Sequence, residues 1–339
     1  MFARLFSWLA RLRNWLLVRV GLWRGQWRRG RVAVPAARFI FGPLANDRWS
    51  YGLYCPRALR DDDPAPLVVL LHGCKQRALG FALASGFTRA ADGQRFRLLC
   101  PEQRLRANLW RCWNWFQPAA QRGQGELLVV RAMLDDVAQR VAIAPGAVAA
   151  VGLSAGGGLA ALLAFHAADR FDAVVAVAAP PLLGRVNLQD PRDVLKRGLV
   201  ASPVLALGPT RTVAPLMVVQ GLADAVVHPR CAEQLVEQAV RTSERSTRSL
   251  QATESAPSTG IAQTDHRDGS SLRVRALRIE ALGHAWSGAP GGHPFVERPG
   301  AALTALALQF LREVGVLPLR RADARSAAEA NASSTAAPP

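Results

Sequence analysis

The sequence predicts an α/β fold, a mostly parallel central sheet with helices on both faces, and three observations carry that prediction. Short apolar runs without polar alternation recur through the middle of the chain. Stretches with apolar residues every three or four positions lie between them. A glycine-flanked serine stands at one of the run-to-helix junctions. Strands hidden on both faces read as continuous apolar runs and belong to parallel sheets, and the intervening helices cover the sheet. Ligands of such sheets bind at the carboxyl ends of the strands.

Taken in order, the first strand is PLVVLLHG (Pro66 to Gly73), an apolar run stopped by glycine. RLLCPE (Arg97 to Glu102), AVAAVGLS (Ala147 to Ser154), DAVVAVAAPP (Asp172 to Pro181) and PLMVVQG (Pro215 to Gly221) are strands on the same grounds. Helical spacing predicts a helix over Glu126 to Val141, and the alanine-rich stretch Gly157 to Ala168 predicts a second, buried one. A last strand pattern follows in SLRVRALRIEALGH, and a terminal helix spans Ala301 to Val314. Residues 241–271 are rich in Ser, Thr and Ala with little to bury, so they read as an exposed, partly disordered insertion.

The chain has 339 residues, 50% hydrophobic and 20% charged, enough for the core of one domain of roughly 200 to 250 residues with about 100 left over. The expected organisation is a basic segment over 1–46, a catalytic domain over 47–318 and a disordered tail over 319–339. The uninterrupted apolar runs are shorter than the 18 or so residues of a spanning helix. The net charge of +17 is uneven: residues 1–46 hold nine arginines and no acid, and the rest has 33 basic residues against 25 acids. The surplus is therefore local, and with no recognition motif outside that segment a nucleic-acid partner is not expected.

Within that segment Trp8, Trp15, Trp23 and Trp27 mix with the arginines, and Arg11, Arg13 and Arg19 interrupt every apolar run that a secretory signal would need. Three readings stay open: a helix lying on an anionic membrane or granule surface through residues 1–31, a helix packed on the catalytic domain, or an unusual export signal. Localisation is equally open. Cys55, Cys74, Cys100, Cys112 and Cys231 show no metal-ligand spacing; they fit scattered buried thiols, or one or two disulfides in an exported protein. No metal is expected.

GLSAG, Gly152 to Gly156, is the sharpest chemical signal. A bare GxSxG has a chance expectation of order 0.1 in a chain this long, but its place between a strand and a helix makes it a nucleophile elbow. The glycines permit the tight bend, Ser154 projects into the site, and the helix start offers free amides to a developing negative charge. A serine needs a base held by an acid, in the order Ser, acid, His. Asp224, just past PLMVVQG, and His284, in LGHAWSG, meet that order and placement.

Other residues compete for these roles. His228, four residues after Asp224, is an alternative base and otherwise a pocket residue; Glu280 is the fallback acid, with Asp265 and Asp268 disfavoured by their place in the insertion. Oxyanion donors are expected from the backbone amides of Cys74, in LLHGCKQ, and Ala155. His72 either braces that turn or faces solvent. Trp113 and Trp115, in NLWRCWNWFQP, with Trp286 beside His284, either pack the core or form an apolar wall for an acyl chain.

The blocks LLHGCKQ, CPEQ, NLWRCWNWF, VGLSAGGGLAALLA, GLADAVVHP and GHAWSG, in that order over about Leu67 to Val314, resemble the polyhydroxybutyrate depolymerase family of esterases, which have the α/β-hydrolase fold. The resemblance implies hydrolysis of poly- or oligo-3-hydroxybutyrate esters by Ser154, His284 and Asp224, with a polyester or oligoester as substrate and no cofactor. Related enzymes act on feruloylated or acetylated carbohydrate, so the reaction is implied more firmly than the substrate. Family members commonly read GDAD where this chain has Gly221, Leu222, Ala223 and Asp224. Secreted members carry a signal peptide and a polymer-binding domain; neither is expected here, although family habit favours an extracellular enzyme.

Overall fold

A computed structural model describes residues 25–34, 48–184, 189–201, 212–245, 249–258 and 260–319. The described residues open with β1 (Gly25–Ala33), β2 (Arg48–Pro56) and β3 (Ala65–Leu71), followed by α1 (Ala78–Ala84), α2 (Phe87–Gln94) and β4 (Arg97–Pro101). After the short α3 (Pro118–Gln121) come α4 (Glu126–Ala138), β5 (Ile143–Leu153), α5 (Ala155–His166), β6 (Ala173–Val177) and α6 (Pro191–Arg197). The chain continues through β7 (Leu216–Gly221), α7 (Pro229–Ser243), β8 (Gln251–Ser258), β9 (Ile261–Asp268), β10 (Ser271–Ile279) and α8 (Leu303–Glu313).

The ten strands among the described residues form one sheet in the order β1-β2-β4-β3-β5-β6-β7-β10-β9-β8. The central strands β4, β3, β5, β6, β7 and β10 run parallel, and β1, β2, β9 and β8 extend the two ends antiparallel. The predicted parallel sheet is therefore present. Its continuous apolar runs are explained by burial on both faces: Leu67, Val69 and Leu71 of β3 join the core under α4, α5 and α7, whereas Val68 and Leu70 join the core under α1, α2 and α8. Each such side chain contributes about 1.5–3 kcal/mol.

Every residue of α5 is buried. Its Ala and Gly content lets it lie against β5 and β6, with α4 packed beside it. Gly156 shows how close that approach is, since a Cβ there would meet the Leu71 and His72 carbonyl oxygens at 2.3 and 2.6 Å.

Two expectations are corrected. The segment 241–271 is not a loose insertion: α7 runs to Ser243, and β8 and β9 form a hairpin that pairs with β10. β8 (QATESAPS) lies at the sheet edge with residues 251–256 exposed, so it has no apolar face to bury. Asp265 is buried in β9 and accepts two hydrogen bonds from Arg275, at 2.7 and 2.6 Å. Finally, residues 25–33 of the basic segment are a strand and not a helix, with Val32 and Trp27 facing opposite cores. The readings for residues 1–24 and for the tail over 320–339 lie outside the described residues.

Candidate active site

Parallel strands place their carboxyl ends at one edge of the sheet, so the loops after β3, β5, β7 and β10 converge there. The loop after β5 is a single residue, Ser154, with φ 58° and ψ −122°. Such a conformation costs a non-glycine residue of order 1–3 kcal/mol and persists only where its surroundings hold it. Here the Ser154 amide donates to Val177 O at 2.8 Å, and its carbonyl accepts from Gly158 N at 2.9 Å. Gly152 is required by packing: a Cβ there would lie 2.1 Å from Gly156 O.

His284, beyond β10, places Nε2 3.0 Å from Ser154 Oγ and Nδ1 2.8 Å from Asp224 Oδ2. Asp224, in the turn after β7, has a fully buried side chain. Its Oδ1 accepts from the Val226 and Val227 amides, both at 2.8 Å, and Gln220 Nε2 lies 3.3 Å from Oδ2. Burial pushes this carboxyl up, but the His284 hydrogen bond and the two amides outweigh it and hold it below the ordinary carboxylate range. The structure thus brings Ser154, His284 and Asp224 into one hydrogen-bonded chain.

The loop after β3 lies against the elbow: a Cβ on Gly73 would sit 3.5 Å from Ser154 Cβ. The Cys74 amide has no hydrogen-bond partner among the described residues, and Ala155 supplies the first amide of α5, one of those a helix leaves unpaired. His72 is fully buried and braces this turn, its Nδ1–H donating to Gly73 O and its Nε2 accepting from Gln103 N. Burial drives its pKa down to about 4. It is a neutral brace, and the solvent-facing alternative is set aside.

Cys74 is joined to Cys112 by a disulfide, and Cys55, Cys100 and Cys231 are buried free thiols. The bridge spans 38 positions, for which chain-entropy arguments give about 4 kcal/mol. The Cys74→Ser, Cys112→Ser double variant is therefore expected to unfold at lower denaturant concentration by about that free energy. Equilibrium urea unfolding checks this, with an unchanged midpoint as the contrary result.

The remaining expectations for the site are corrected by burial. Trp286 is fully buried between Phe81 and Phe87, with its indole N–H donating to Thr304 Oγ1 at 2.9 Å. Trp113 is fully buried beside His72, and Trp115 packs against Gly158 of α5 and edge-on to Phe116. All three are core residues. In the same segment the exposed large hydrophobic side chains are Leu109, at 80%, and Trp110, at 62% with Lys75 Nζ 4.7 Å from its ring centre. His228 caps α7, accepting from Arg230 N through Nδ1, and Ser154 is served by His284. Glu280 follows β10 and bonds by its amide to Gly260.

Three residues at the site carry no sequence signal. Phe295, in the left-handed region at φ 57°, sets its ring edge-on to His284 with centres 5.6 Å apart. Gln220 touches Asp224 from inside β7. Glu126 is buried at the start of α4, where burial lifts its pKa to about 7 against the hydrogen bonds from Gln103 and Asn114.

The profile of a family described as esterase PHB depolymerase matches residues 49–255. Poly(3-hydroxyalkanoate) depolymerase C of Paucimonas lemoignei is 33% identical over 140 residues, 41% of this chain and 34% of that protein, so the match spans about a third of its relative. Among solved structures, an acetyl xylan esterase from Aspergillus awamori superposes with a TM-score of 0.62 at 12% identity, over 85% of this chain and 99% of that one. Thermogutta terrifontis esterase 2 gives 0.53 at 17% identity, over 85% and 98%. Identities this low speak to the fold alone.

Sheet topology and structural neighbours together define a protein with the α/β-hydrolase architecture. Within that class the chain belongs to the esterase PHB depolymerase family.

Proposed function

We propose that this protein is a serine esterase that cleaves poly- or oligo-3-hydroxybutyrate through an acyl-enzyme, with Ser154 as nucleophile, His284 as base and Asp224 as the acid that orients it. The observation that carries the reading is the hydrogen-bonded chain Asp224–His284–Ser154 at 2.8 and 3.0 Å. Ser154 Oγ attacks the ester carbonyl carbon while its proton passes to His284 Nε2. The carbonyl oxygen takes the negative charge and is met by the Cys74 and Ala155 amides. The tetrahedral species collapses as His284 returns the proton to the departing hydroxyl-terminated fragment, leaving the acyl group on Ser154. Water, deprotonated by His284, then releases the acid and restores the serine. No step calls on a cofactor.

The substrate class rests on family membership and on the relative whose name states a poly(3-hydroxyalkanoate). The test is release of 3-hydroxybutyrate from amorphous polyhydroxybutyrate granules, run beside a soluble short-chain ester and acetylated and feruloylated sugars, with Ser154→Ala as control. Granule release lost in the variant supports a depolymerase. Turnover of the sugar esters alone replaces it with a carbohydrate esterase.

A surface role for the N-terminal segment is the second part of the proposal. Arg29 and Arg31 are exposed on β1, immediately after the Arg/Trp-rich residues 1–24, which suits an anionic lipid or granule surface. Because β1 belongs to the sheet, the informative deletion is residues 2–24. Loss of co-sedimentation with granules or anionic vesicles, with soluble-ester turnover retained, is the expected result; unchanged sedimentation overturns it.

A further inference from the structure

In the turn after β3 the Cys74 amide has no hydrogen-bond partner among the described residues, while the amides of Gly73 and Lys75 on either side are tied. Gly73 N–H donates to Gln76 Oε1 at 2.7 Å, and Gln76 Nε2 donates to Pro294 O. His72 accepts from Gln103 N at 3.2 Å, Cys74 is bonded to Cys112, and Lys75 N–H donates to Trp110 O at 2.6 Å. The last three ties all end on one segment, residues 103–114. The position of the Cys74 amide relative to Ser154 is therefore set by where that segment sits.

Residues 103–114 contain no helix or strand, and a buried carboxylate fastens both ends of the segment. Glu126 Oε1 accepts from Gln103 Nε2 at 2.6 Å and from Asn114 Nδ2 at 2.7 Å, and Oε2 accepts from Asn114 N at 2.6 Å. Gln103 Nε2 also donates to Cys112 O at 2.8 Å, beside the disulfide. No arginine or lysine pairs with Glu126 among the described residues. A carboxylate buried without a counter-ion is costly, yet here it meets three N–H groups that all need an acceptor. Glu126 opens α4, which packs by Leu127, Val130, Met133 and Leu134 onto the core under β3, so the acceptor is held by a rigid element.

We propose that Glu126 is a positioning residue for ester hydrolysis, an acceptor fixed by α4 that holds Gln103 and Asn114, and through Gln103 the Cys112 carbonyl, and thereby aims the Cys74 amide at the oxyanion. This rests on the reading above, in which Ser154 is the nucleophile and the Cys74 amide an oxyanion donor. A donor of that kind contributes 10²- to 10³-fold in kcat when removed outright; displacing it is expected to cost roughly 10- to 100-fold.

Glu126→Gln is the test, because the amide matches the carboxylate in size but offers an N–H where one acceptor oxygen stood. With p-nitrophenyl butyrate, kcat should fall roughly 10- to 100-fold while KM stays within about twofold. Affinity for an alkyl boronic acid, which forms a tetrahedral adduct on the serine, should fall by a similar factor. A structural role alone would lower the melting temperature and leave kcat per folded molecule and boronate affinity unchanged, and that result overturns the proposal. Should Glu126→Gln not fold, Gln103→Met removes the side-chain tie to Cys112 while keeping the Gln103 main-chain bond to His72. It must then show the same split, and an unchanged kcat overturns the proposal. Retained activity in Ser154→Ala would instead sink the underlying reading. Normal loss there beside an intact Glu126→Gln sinks only this inference.

Discussion

Ser154→Ala should fold as the parent does and turn over soluble esters about 10⁶-fold more slowly, the scale on which an enzyme with an oriented nucleophile and base loses kcat when the nucleophile goes. Retained folding is expected because the Ser154 side chain makes a single hydrogen bond, to His284, and because alanine and serine bear the positive φ at similar cost. The backbone ties to Val177 and Gly158 do not involve the hydroxyl. The measurements are kcat on a soluble ester and thermal unfolding of the same preparation. A folded variant with parental kcat would remove Ser154 from the mechanism.

Asp224→Asn is expected to cost about 10⁴-fold in kcat with little change in KM, the penalty that follows from a wrong histidine tautomer. The two oxygens of Asp224 serve different partners. Oδ1 must accept from the Val226 and Val227 amides, so an asparagine turns its carbonyl to them and points its NH2 at His284 Nδ1. His284 Nδ1 is then forced to accept, its proton moves to Nε2, and that nitrogen faces Ser154 Oγ as a donor when it should be an acceptor. Steady-state kinetics near neutral pH check this; a loss below tenfold would show that His284 finds its tautomer without Asp224. Because Asp224 is held below the ordinary carboxylate range, it stays ionised through mildly acid pH, and an acid limb near neutrality belongs to another group.

The parts of the structure legible in the sequence are those where one physical constraint acts alone. The parallel strands had to be apolar on both faces, so LVVLL and LMVV stand out. The elbow had to have small residues where backbones meet, so Gly152 and Gly156 mark it. The antiparallel ends obey a different constraint: β1 and β8 sit at sheet edges, where arginine, serine and threonine are accommodated, and neither run has the apolar signature of a central strand. Burial also explains the tryptophans. Trp286 is two residues from His284, but the backbone sends its ring into the core beneath α1 and α2, and sequence proximity to a reactive residue says nothing of that direction. Glu126 and Gln220 were illegible for a third reason. They are polar residues whose role is fixed by partners elsewhere in the chain, so no local pattern announces them.

The complete burial of α5 also bears on how this scaffold can be re-engineered. A helix with no solvent-facing position has no neutral sites to vary, and its close backbone approach to β3 leaves no volume for larger residues. Libraries aimed at a new acyl group would therefore waste their diversity on residues 155–166. The side chains free to change are those of the surrounding loops, such as Leu109, Trp110 and Phe295. The nucleophile is in effect mounted on an invariant chassis, and new specificity must come from the parts bolted around it.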